Sequence, residues 1–334
     1  MSRPYLTVLT TPIHSAPRRL YRNARGLARR VVKPGVPLPE TSPYPGHYAL
    51  VRSVVEGLQA VHADFNFNPQ RFGCLARVVY APANEALLQA ADLRKRGDID
   101  FLVAGPVNAL FADECNKILQ TPGIDLLIIA SEWVRRFYRD VPALRDKARV
   151  CPAGVDADFW QPTGRRRERV AVVYWKSGDE PFCEAAEATV RQCGLEPIRI
   201  ESRPGEHRSF RSADYRAQLD RAAVGVFLSA FETQGLALAE AWSMNVPAVV
   251  WDPRGDAEWR GRRFTAGSSA PYLTSATGVA FREIGELRPA LERALASPGS
   301  FQPRDWVLAN MTDAVCSRRL FDLIRAEAGR AMES

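Results

Sequence analysis

The stretch FLSAFETQGLALAEAWSMNVPAVVWD, residues 227–252, is the part of the sequence that decides the fold. It opens and closes with short apolar runs typical of strands, and the small apolar residues after Gly235 favour a helix between them. A strand, a helix and a second strand in this order predict a parallel βαβ unit. Glu232 and Glu240 are carboxylates in an otherwise small and apolar segment, so their presence calls for a specific function.

Strands and helices alternate on both sides of this stretch, which predicts an α/β protein with parallel sheets wrapped by helices. The alternation is interrupted at 151–168 by proline, glycine and a charge run, where we place the join between two Rossmann-like domains. A last helical segment should cross back onto the first domain. The predicted domains are 1–155 and 156–312, followed by the crossing helix at 313–334. In the first half, the predicted strands are 5–9, 77–80, 99–103 and 125–130.

The loop and helix start at 232–236 have the properties of a binding site. In open α/β sheets, ligands bind at the carboxyl ends of the strands, so we expect the cleft between two such domains to hold the site. Thr233, Gln234, Gly235 and Leu236 present successive backbone N–H groups at a helix start, which suits a phosphate or a sugar hydroxyl. A carboxylate such as Glu232 can accept two hydrogen bonds from the vicinal hydroxyls of a sugar ring.

Three ordered pieces of sequence carry a family resemblance. They are the E-x7-E segment with its helix and NVPAVVWD, SEWVRRFYRD at 131–140, and PAGVDADFWQP at 152–162. Together they resemble the retaining nucleotide-sugar glycosyltransferases of family 4, over roughly residues 100–330. The resemblance implies the GT-B fold of two facing Rossmann-like domains. It also implies transfer of a hexose from a nucleotide-diphosphate sugar to an acceptor, with retention of anomeric configuration.

The resemblance assigns roles to the residues of the opening stretch. Glu240 would hold the ribose of the donor nucleotide, and Glu232 would contact hydroxyls of the transferred sugar. The turn formed by Gln234, Gly235 and Leu236 would face the sugar and the diphosphate. No metal and no cofactor are expected, and the acceptor would attack from the front face.

The diphosphate contacts depart from the family pattern. The family places an arginine and a lysine after the first strand of the second domain, but this chain reads VVYWKSGDEP there. Lys176 is therefore the expected catalytic cation, with Ser177 and Gly178 as a small donor-binding turn. Arg203 and Arg254 also follow strands of this sheet and are candidates for the second charge. The alternative is that both are ordinary surface arginines.

Two loops of the first domain are expected on the acceptor or diphosphate side. Gly46 and His47 stand at a helix start in YPGHYALVRSVVEGLQ, which resembles the glycine loop of the family. Gly105 and Asn108 follow another predicted strand. His47 is a candidate catalytic residue, with a helix-capping or structural role as the equal alternative.

Composition limits the class of protein. The chain has 334 residues, of which 46% are hydrophobic and 25% charged, as in a soluble globular protein. It has no apolar run near the ~18 to 20 residues of a membrane-spanning helix, and the first residues lack signal-peptide order. The six cysteines and four histidines are scattered, so neither a disulfide framework nor a zinc site is indicated. We expect a cytoplasmic protein.

The net charge of +7 is concentrated near the start of the chain, where residues 18–33 form a basic amphipathic pattern. Such a segment can lie on an anionic membrane surface or bind nucleic acid, and a solvated helix face is the alternative. We expect an anionic acceptor such as a glycan or glycolipid, met at the inner face of the membrane. A DNA-base glucosyltransferase-like enzyme, a sugar-nucleotide epimerase or phosphorylase, and a non-catalytic GT-B binding protein remain alternatives.

Overall fold

A computed structural model describes residues 3–14, 48–82, 84–106, 109–202, 211–296 and 299–333. The basic segment 18–33 and four predicted residues, Gly46, His47, Asn108 and Arg203, lie outside these ranges. The described chain forms two compact units. The first contains the described residues up to Ile129, then Phe137–Cys151, then those from Ser317 onward. The second contains Ala130–Arg136 and the described residues of Pro152–Cys316.

The first unit is built on a parallel six-stranded sheet of order β2-β1-β3-β4-β5-β6. Its strands are β1 (Leu6–Val8), β2 (Phe65–Phe67), β3 (Val78–Ala81), β4 (Phe101–Ala104), β5 (Leu126–Ile129) and β6 (Ala148–Val150). The helices are α1 (Tyr48–Ala60), α2 (Asn84–Lys95) and α3 (Glu132–Arg139), which begins in the second unit. Short turns lie at Phe72–Cys74, Glu114–Lys117 and Ile118–Gln120. The central strands β3, β4 and β5 are buried along their whole length, as expected when a parallel sheet is covered on both faces.

The second unit is a parallel five-stranded sheet of order β13-β10-β9-β7-β8 with an added antiparallel hairpin. The sheet strands are β7 (Val170–Trp175), β8 (Glu196–Glu201), β9 (Val224–Leu228), β10 (Ala248–Trp251) and β13 (Gly278–Phe281), and the hairpin pairs β11 (Asp256–Trp259) with β12 (Arg262–Thr265). Its helices are α4 (Glu180–Gln192), α5 (Ser212–Arg221), α6 (Leu236–Ser243), α7 (Leu287–Ala296) and α8 (Pro303–Asn310), with a short turn at Ile284–Glu286. The opening stretch of the sequence is thus β9, a loop, α6 and β10.

The long helix α9 (Asp313–Glu333) connects the two units along the chain. Its start pairs with the PAGVD segment, because the Val155 N–H donates to the Met311 carbonyl and the Asp313 N–H donates to the Val155 carbonyl. A side chain at Gly154 would put its Cβ 2.4 Å from the Asp313 Cα, so only glycine permits this approach. The part of α9 from Ser317 onward belongs to the first unit, as the crossing-helix prediction requires.

The core face of α9 completes the hydrophobic core of the first unit. Leu320, Ile324 and Ala328 are buried against the side chains of β1, β3, β4 and β5. Within the described ranges, no helix is both long and apolar enough to cross a bilayer. The predicted limits at 155 and 312 concern functional domains, whereas the two units are defined by contacts within the chain. These limits therefore stay predictions.

Candidate functional site

Two predicted residues come together at the carboxyl ends of neighbouring strands. Lys176 directly follows β7, and Glu232 lies four residues after β9. Because β7 and β9 pair in parallel, their carboxyl ends meet at one edge of the sheet. The Lys176 Nζ atom lies 2.7 Å from the Glu232 Oε1 atom, and both side chains are partly buried, 31% and 17% exposed. The two residues therefore form an ion pair at the predicted site.

Ser229 is a third member of this group. It is 3% exposed, and its hydroxyl lies 3.1 Å from Glu232 Oε1 and 2.9 Å from the Phe231 carbonyl. Lys176 and Ser229 thus both hold the Oε1 atom. In the part of the chain that the structure describes, nothing hydrogen-bonds the other oxygen, Oε2. That oxygen is left to accept hydrogen bonds from a ligand.

The ion pair fixes the charge of Lys176. Burial alone would lower the pKa of this ammonium group, because desolvation disfavours the charged form. The neighbouring Glu232 carboxylate outweighs burial through its charge and its hydrogen bond, so the pKa is raised above the ordinary lysine value. Lys176 is consequently positive at neutral pH and can stabilise negative charge.

We call residues 229–235, which connect β9 to α6, the Glu232 loop. It forms no helix or strand, and its backbone is held by other segments. The Glu232 N–H donates to the Ser268 carbonyl at 3.1 Å. The Trp133 indole N–H donates to the Glu232 carbonyl at 2.9 Å, and the Ser131 hydroxyl donates to the Thr233 carbonyl at 2.5 Å.

The side chain of Gln234 is held by the backbone of Ala153, which belongs to a third segment of the chain. Its side chain accepts from the Ala153 N–H at 2.9 Å and donates to the Ala153 carbonyl at 2.6 Å, and only 9% of the residue is exposed. This two-way bond satisfies both backbone groups of Ala153. Gln234 was predicted as a ligand contact, and the structure gives it a structural role as well.

The three sequence pieces that carried the resemblance therefore meet in space. Residues 131–140 contribute Ser131 and Trp133, and residues 152–162 contribute Ala153, all to the Glu232 loop. Sequence reasoning identified these segments as motifs but did not predict that they hold the loop. Ser229 and Ser268 were missed altogether, since neither stands in a pattern that separates it from other loop serines.

The start of α6 has no side-chain cap among the described residues. Gly235 precedes the helix with a φ of 82°, a left-handed conformation that favours glycine. Glu240 lies more than one turn into α6 and is 6% exposed. Thr233 is exposed and Leu236 is half-buried at the same helix start. The N–H groups of the first turn and their partial positive charge thus stand beside the Glu232 loop.

The turn after β7 is less open than predicted. The N–H groups of Lys176 and Ser177 both donate to the Leu228 carbonyl, at 2.9 and 3.1 Å, so they serve the backbone. The next helix, α4, is capped by the chain itself, because the Asp179 carboxylate accepts from the Phe182 N–H at 3.0 Å. Gly178 has a φ of 91°, and a Cβ there would lie 2.9 Å from the Phe182 ring. The N–H groups of Lys176 and Ser177 are thus unavailable to a phosphate, whereas the Lys176 side chain stands at the end of β7.

The remaining predicted residues have separate places. Arg254 pairs with the buried Asp252 at 2.9 Å, and its side chain is 58% exposed. Gly105 belongs to the first unit, where it follows β4 with a φ of 76°. A Cβ at Gly105 would lie 2.3 Å from the Ile128 carbonyl oxygen, so close packing on β5 already requires glycine.

Within the described residues, no three His, Cys, Asp or Glu side chains are grouped to hold a metal ion.

Comparison with known proteins finds similarity at the level of structure. No family model and no curated protein matches the sequence. The fold resembles HepE of Anabaena in complex with UDP and glucose, with 12% identity, a TM-score of 0.56, and 97% of this chain and 100% of that chain covered. It also resembles the sucrose-phosphate synthase of Thermosynechococcus elongatus, with 14% identity, a TM-score of 0.53, and coverage of 97% and 99%.

A third similar structure is the lipopolysaccharide outer core galactosyltransferase WaaB in its apo form, with 13% identity and a TM-score of 0.52. The match covers 96% of this chain and 99% of that chain. At such low identity the similarity shows the fold alone. The predicted α/β fold class, GT-B, is thereby confirmed over almost the whole chain.

Proposed function

We propose that this protein is a retaining glycosyltransferase that moves a hexose from a nucleotide-diphosphate sugar to an acceptor. The observation that carries the proposal is the Glu232 carboxylate. One of its oxygens is held by Lys176 and Ser229, and the loop that bears it is fixed through its backbone at Glu232 and Thr233. A carboxylate oriented in this way is suited to a pair of sugar hydroxyls.

The uncapped start of α6 supports a nucleotide diphosphate as the donor group. Backbone N–H groups and the helix dipole favour a phosphate there. The buried Glu240 on the same helix is proposed to accept hydrogen bonds from the ribose hydroxyls. Among the structures with this fold, HepE is seen in complex with UDP-glucose, and starch synthase IV from Arabidopsis thaliana is bound to ADP and acarbose.

In the proposed reaction, an acceptor hydroxyl attacks the anomeric carbon from the face that the leaving group departs from. A bond forms between the acceptor oxygen and the anomeric carbon, and the bond from that carbon to the diphosphate oxygen breaks. The departing oxygen takes the electron pair and the acceptor proton. Lys176, which is positive at neutral pH, and the N–H groups of α6 stabilise the negative charge that develops on the diphosphate. The proposal includes no metal and no cofactor.

The acceptor side of the proposal rests on residues of the first unit and of the basic segment. We propose Gly46, His47, Gly105 and Asn108 for contacts with the acceptor or the diphosphate. The basic segment 18–33 is proposed to meet an anionic acceptor, such as a glycan or glycolipid, at the inner face of the cytoplasmic membrane.

A thermal-shift screen against UDP-, GDP-, ADP- and dTDP-sugars tests the donor. A ligand that binds only the folded state raises the melting temperature, so one nucleotide class should stand out. The identified donor, labelled in its sugar, is then followed into products with isolated glycolipid and glycan acceptors. Absence of any shift with all four classes would contradict the proposal.

One observation favours a second candidate, a non-catalytic binding protein of the same fold. Among the described residues, Lys176, the cation that follows β7 at the predicted diphosphate site, already pairs with Glu232, and the N–H groups of Lys176 and Ser177 donate to the Leu228 carbonyl. Such a protein would bind a nucleotide sugar without transferring or hydrolysing it. Donor turnover by the wild type that is abolished in both Glu232→Ala and Lys176→Ala would exclude this candidate.

A further inference from the structure

A short stretch of chain between β5 and the end of α3 belongs to the second unit. The residues are Ala130–Arg136, and the chain on either side of them, at Ile129 and Phe137, belongs to the first unit. We call Ala130–Arg136 the strap. The chain passes into the second unit and back within these seven residues. A loop that only joined two elements of the first unit would not need this excursion.

Hydrogen bonds between described residues attach the strap to the rest of the second unit, and two of them reach the Glu232 loop. The Tyr272 hydroxyl donates to the Ala130 carbonyl at 2.5 Å, and the Arg136 guanidinium donates to the Thr265 carbonyl. Between these ends, Ser131 and Trp133 donate to the carbonyls of Thr233 and Glu232. The strap is thus held at both ends and supports the loop from its middle.

Aromatic packing fixes the Trp133 indole in place. Its ring lies parallel to Phe264 with centroids 6.4 Å apart, and it meets Phe231 edge-on at 6.3 Å. The Arg136 guanidinium lies 5.5 Å from the Trp133 ring centre. Gly267 leaves the room for this ring, since a Cβ there would be 2.6 Å from the Trp133 Cβ. The indole N–H that reaches the Glu232 carbonyl is therefore preorganised by its neighbours.

The position of the Glu232 carboxylate depends on the backbone beneath it. The Glu232 N–H is held by Ser268 and its carbonyl by Trp133, from opposite segments of the chain. Removing one of these bonds frees the peptide to rotate, and the carboxylate then samples positions away from the sugar. Small displacements of this kind are costly, because recognition of a sugar by a carboxylate requires aligned hydrogen bonds.

We propose that the strap positions the Glu232 loop for the transferred sugar, with Trp133 as the positioning residue and Ser131 as its support. This inference rests on the proposed function, in which Glu232 contacts that sugar. It predicts a specific division of effects. Loss of the Trp133 bond weakens recognition of the sugar but leaves binding of the nucleotide diphosphate unchanged, since that group is assigned to α6 and Lys176.

Trp133→Phe is the test variant, because phenylalanine keeps an aromatic ring in the cluster and loses the N–H. The matched control is Trp251→Phe, since the Trp251 indole N–H also donates to a backbone carbonyl, that of Arg282, at 2.9 Å. Ser131→Ala is the second test variant. Affinities for the nucleotide sugar and for the corresponding nucleoside diphosphate are measured by calorimetry for each protein.

In the wild type, the sugar should add affinity beyond that of the nucleoside diphosphate. In Trp133→Phe this sugar-dependent gain should fall about tenfold, with the nucleoside diphosphate affinity unchanged. The control should match the wild type in both affinities. An equal loss for both ligands, or a retained sugar gain, would overturn the positioning role, because a purely structural residue would not separate the two ligands.

Hydrogen exchange of backbone amides tests the strap without any ligand. In Trp133→Phe and Ser131→Ala, amides of the Glu232 loop should exchange faster, while those of Trp251→Phe should exchange as in the wild type. Unchanged exchange in both strap variants overturns the inference by itself. Faster exchange in a protein that binds no nucleotide sugar would instead contradict the proposed function and leave the strap's hold on the loop supported.

Discussion

The Glu232 carboxylate is held through one oxygen only, and this asymmetry defines the site at the scale of the residue. Oε1 meets both Lys176 and Ser229, whereas Oε2 has no bonded partner in the described chain. Each carboxylate oxygen can accept about two hydrogen bonds, so Oε2 keeps its full acceptor capacity for a ligand. The arrangement holds Glu232 in one orientation while its other oxygen keeps its acceptor capacity for a ligand.

Glu232→Gln should lower the rate of sugar transfer by about a hundredfold, because the neutral amide cannot form an ion pair with Lys176 and offers a single acceptor oxygen. Steady-state kinetics with the donor found in the thermal-shift screen would measure this. Glu258→Gln, an exposed glutamate on β11, is the matched control and should transfer sugar at the wild-type rate. Equal rates in all three proteins would remove Glu232 from the site.

The sequence predicted the residues at the ligand-facing edge but not those that support them. Lys176, Glu232 and Gly235 follow strands or open a helix, so local patterns reveal them. Trp133 lies 99 residues from Glu232 along the chain, and no local pattern indicates that its N–H meets that carbonyl. Long-range backbone contacts of this kind depend on how the chain crosses between units, which neither periodicity nor composition encodes.

At the scale of the element, helices and central strands were predictable, whereas several short strands were not. The predicted helix at 313–334 and the predicted strand at 77–80 agree with α9 (Asp313–Glu333) and β3 (Val78–Ala81). The short strands β2, β6 and β13 and the hairpin of β11 and β12 were missed. β2 and β6 have three residues each, too few to establish a period of two.

The contact between Gly267 and the strap makes one glycine substitution diagnostic. Gly267→Ala would place a methyl group 2.6 Å from the Trp133 Cβ, so the strap or the chain after β12 must move. We expect a loss of about 2 kcal/mol in the free energy of unfolding, measured by urea denaturation. Gly285→Ala is the control, because a Cβ there meets no atom within 4 Å. A stability of Gly267→Ala equal to that of the control would indicate that the strap is easily displaced.

An ion pair between β6 and α9 should make stability depend on pH in the acid range. Burial alone would raise the pKa of Glu327, but hydrogen bonds and charges of Arg330 and Arg149 outweigh it and hold the pKa below its ordinary value. Arg149 lies 2.7 Å and Arg330 2.9 Å from Glu327 Oε1. A depressed pKa contributes stability above the pKa of the unfolded state, and this contribution is lost as pH falls through the folded value.

Glu327→Gln should therefore be less stable than the wild type by about 2 kcal/mol at pH 7. The difference should shrink as pH falls below about 4.3, the pKa of an ordinary glutamate. Urea denaturation at several pH values measures it, with Glu333→Gln, at the exposed end of the same helix, as control. A difference that stays constant down to pH 3 would show that the ion pair does not supply this stability.

At the scale of the whole molecule, the core of the first unit is completed by α9, although this helix begins in the second unit. Ile324 is fully buried in the core of the first unit, whereas Met332 on the same helix is 53% exposed. Ile324→Ala should cost about 3 kcal/mol in the free energy of unfolding, and Met332→Ala should change it by less than about 0.5 kcal/mol. Chemical denaturation of both variants checks this. If both variants changed the free energy of unfolding by similarly small amounts, the core of the first unit would not depend on α9.

The chain passes between the two units four times, after Ile129, Arg136, Cys151 and Cys316. A continuous fragment from 152 to 316 would contain the Glu232 loop but would lack the seven residues that support it. Separating the units for protein engineering therefore requires circular permutation, with the strap joined to the second unit through a new linker. Exchange of whole domains between proteins of this fold would likewise have to transfer the strap together with the loop that it holds.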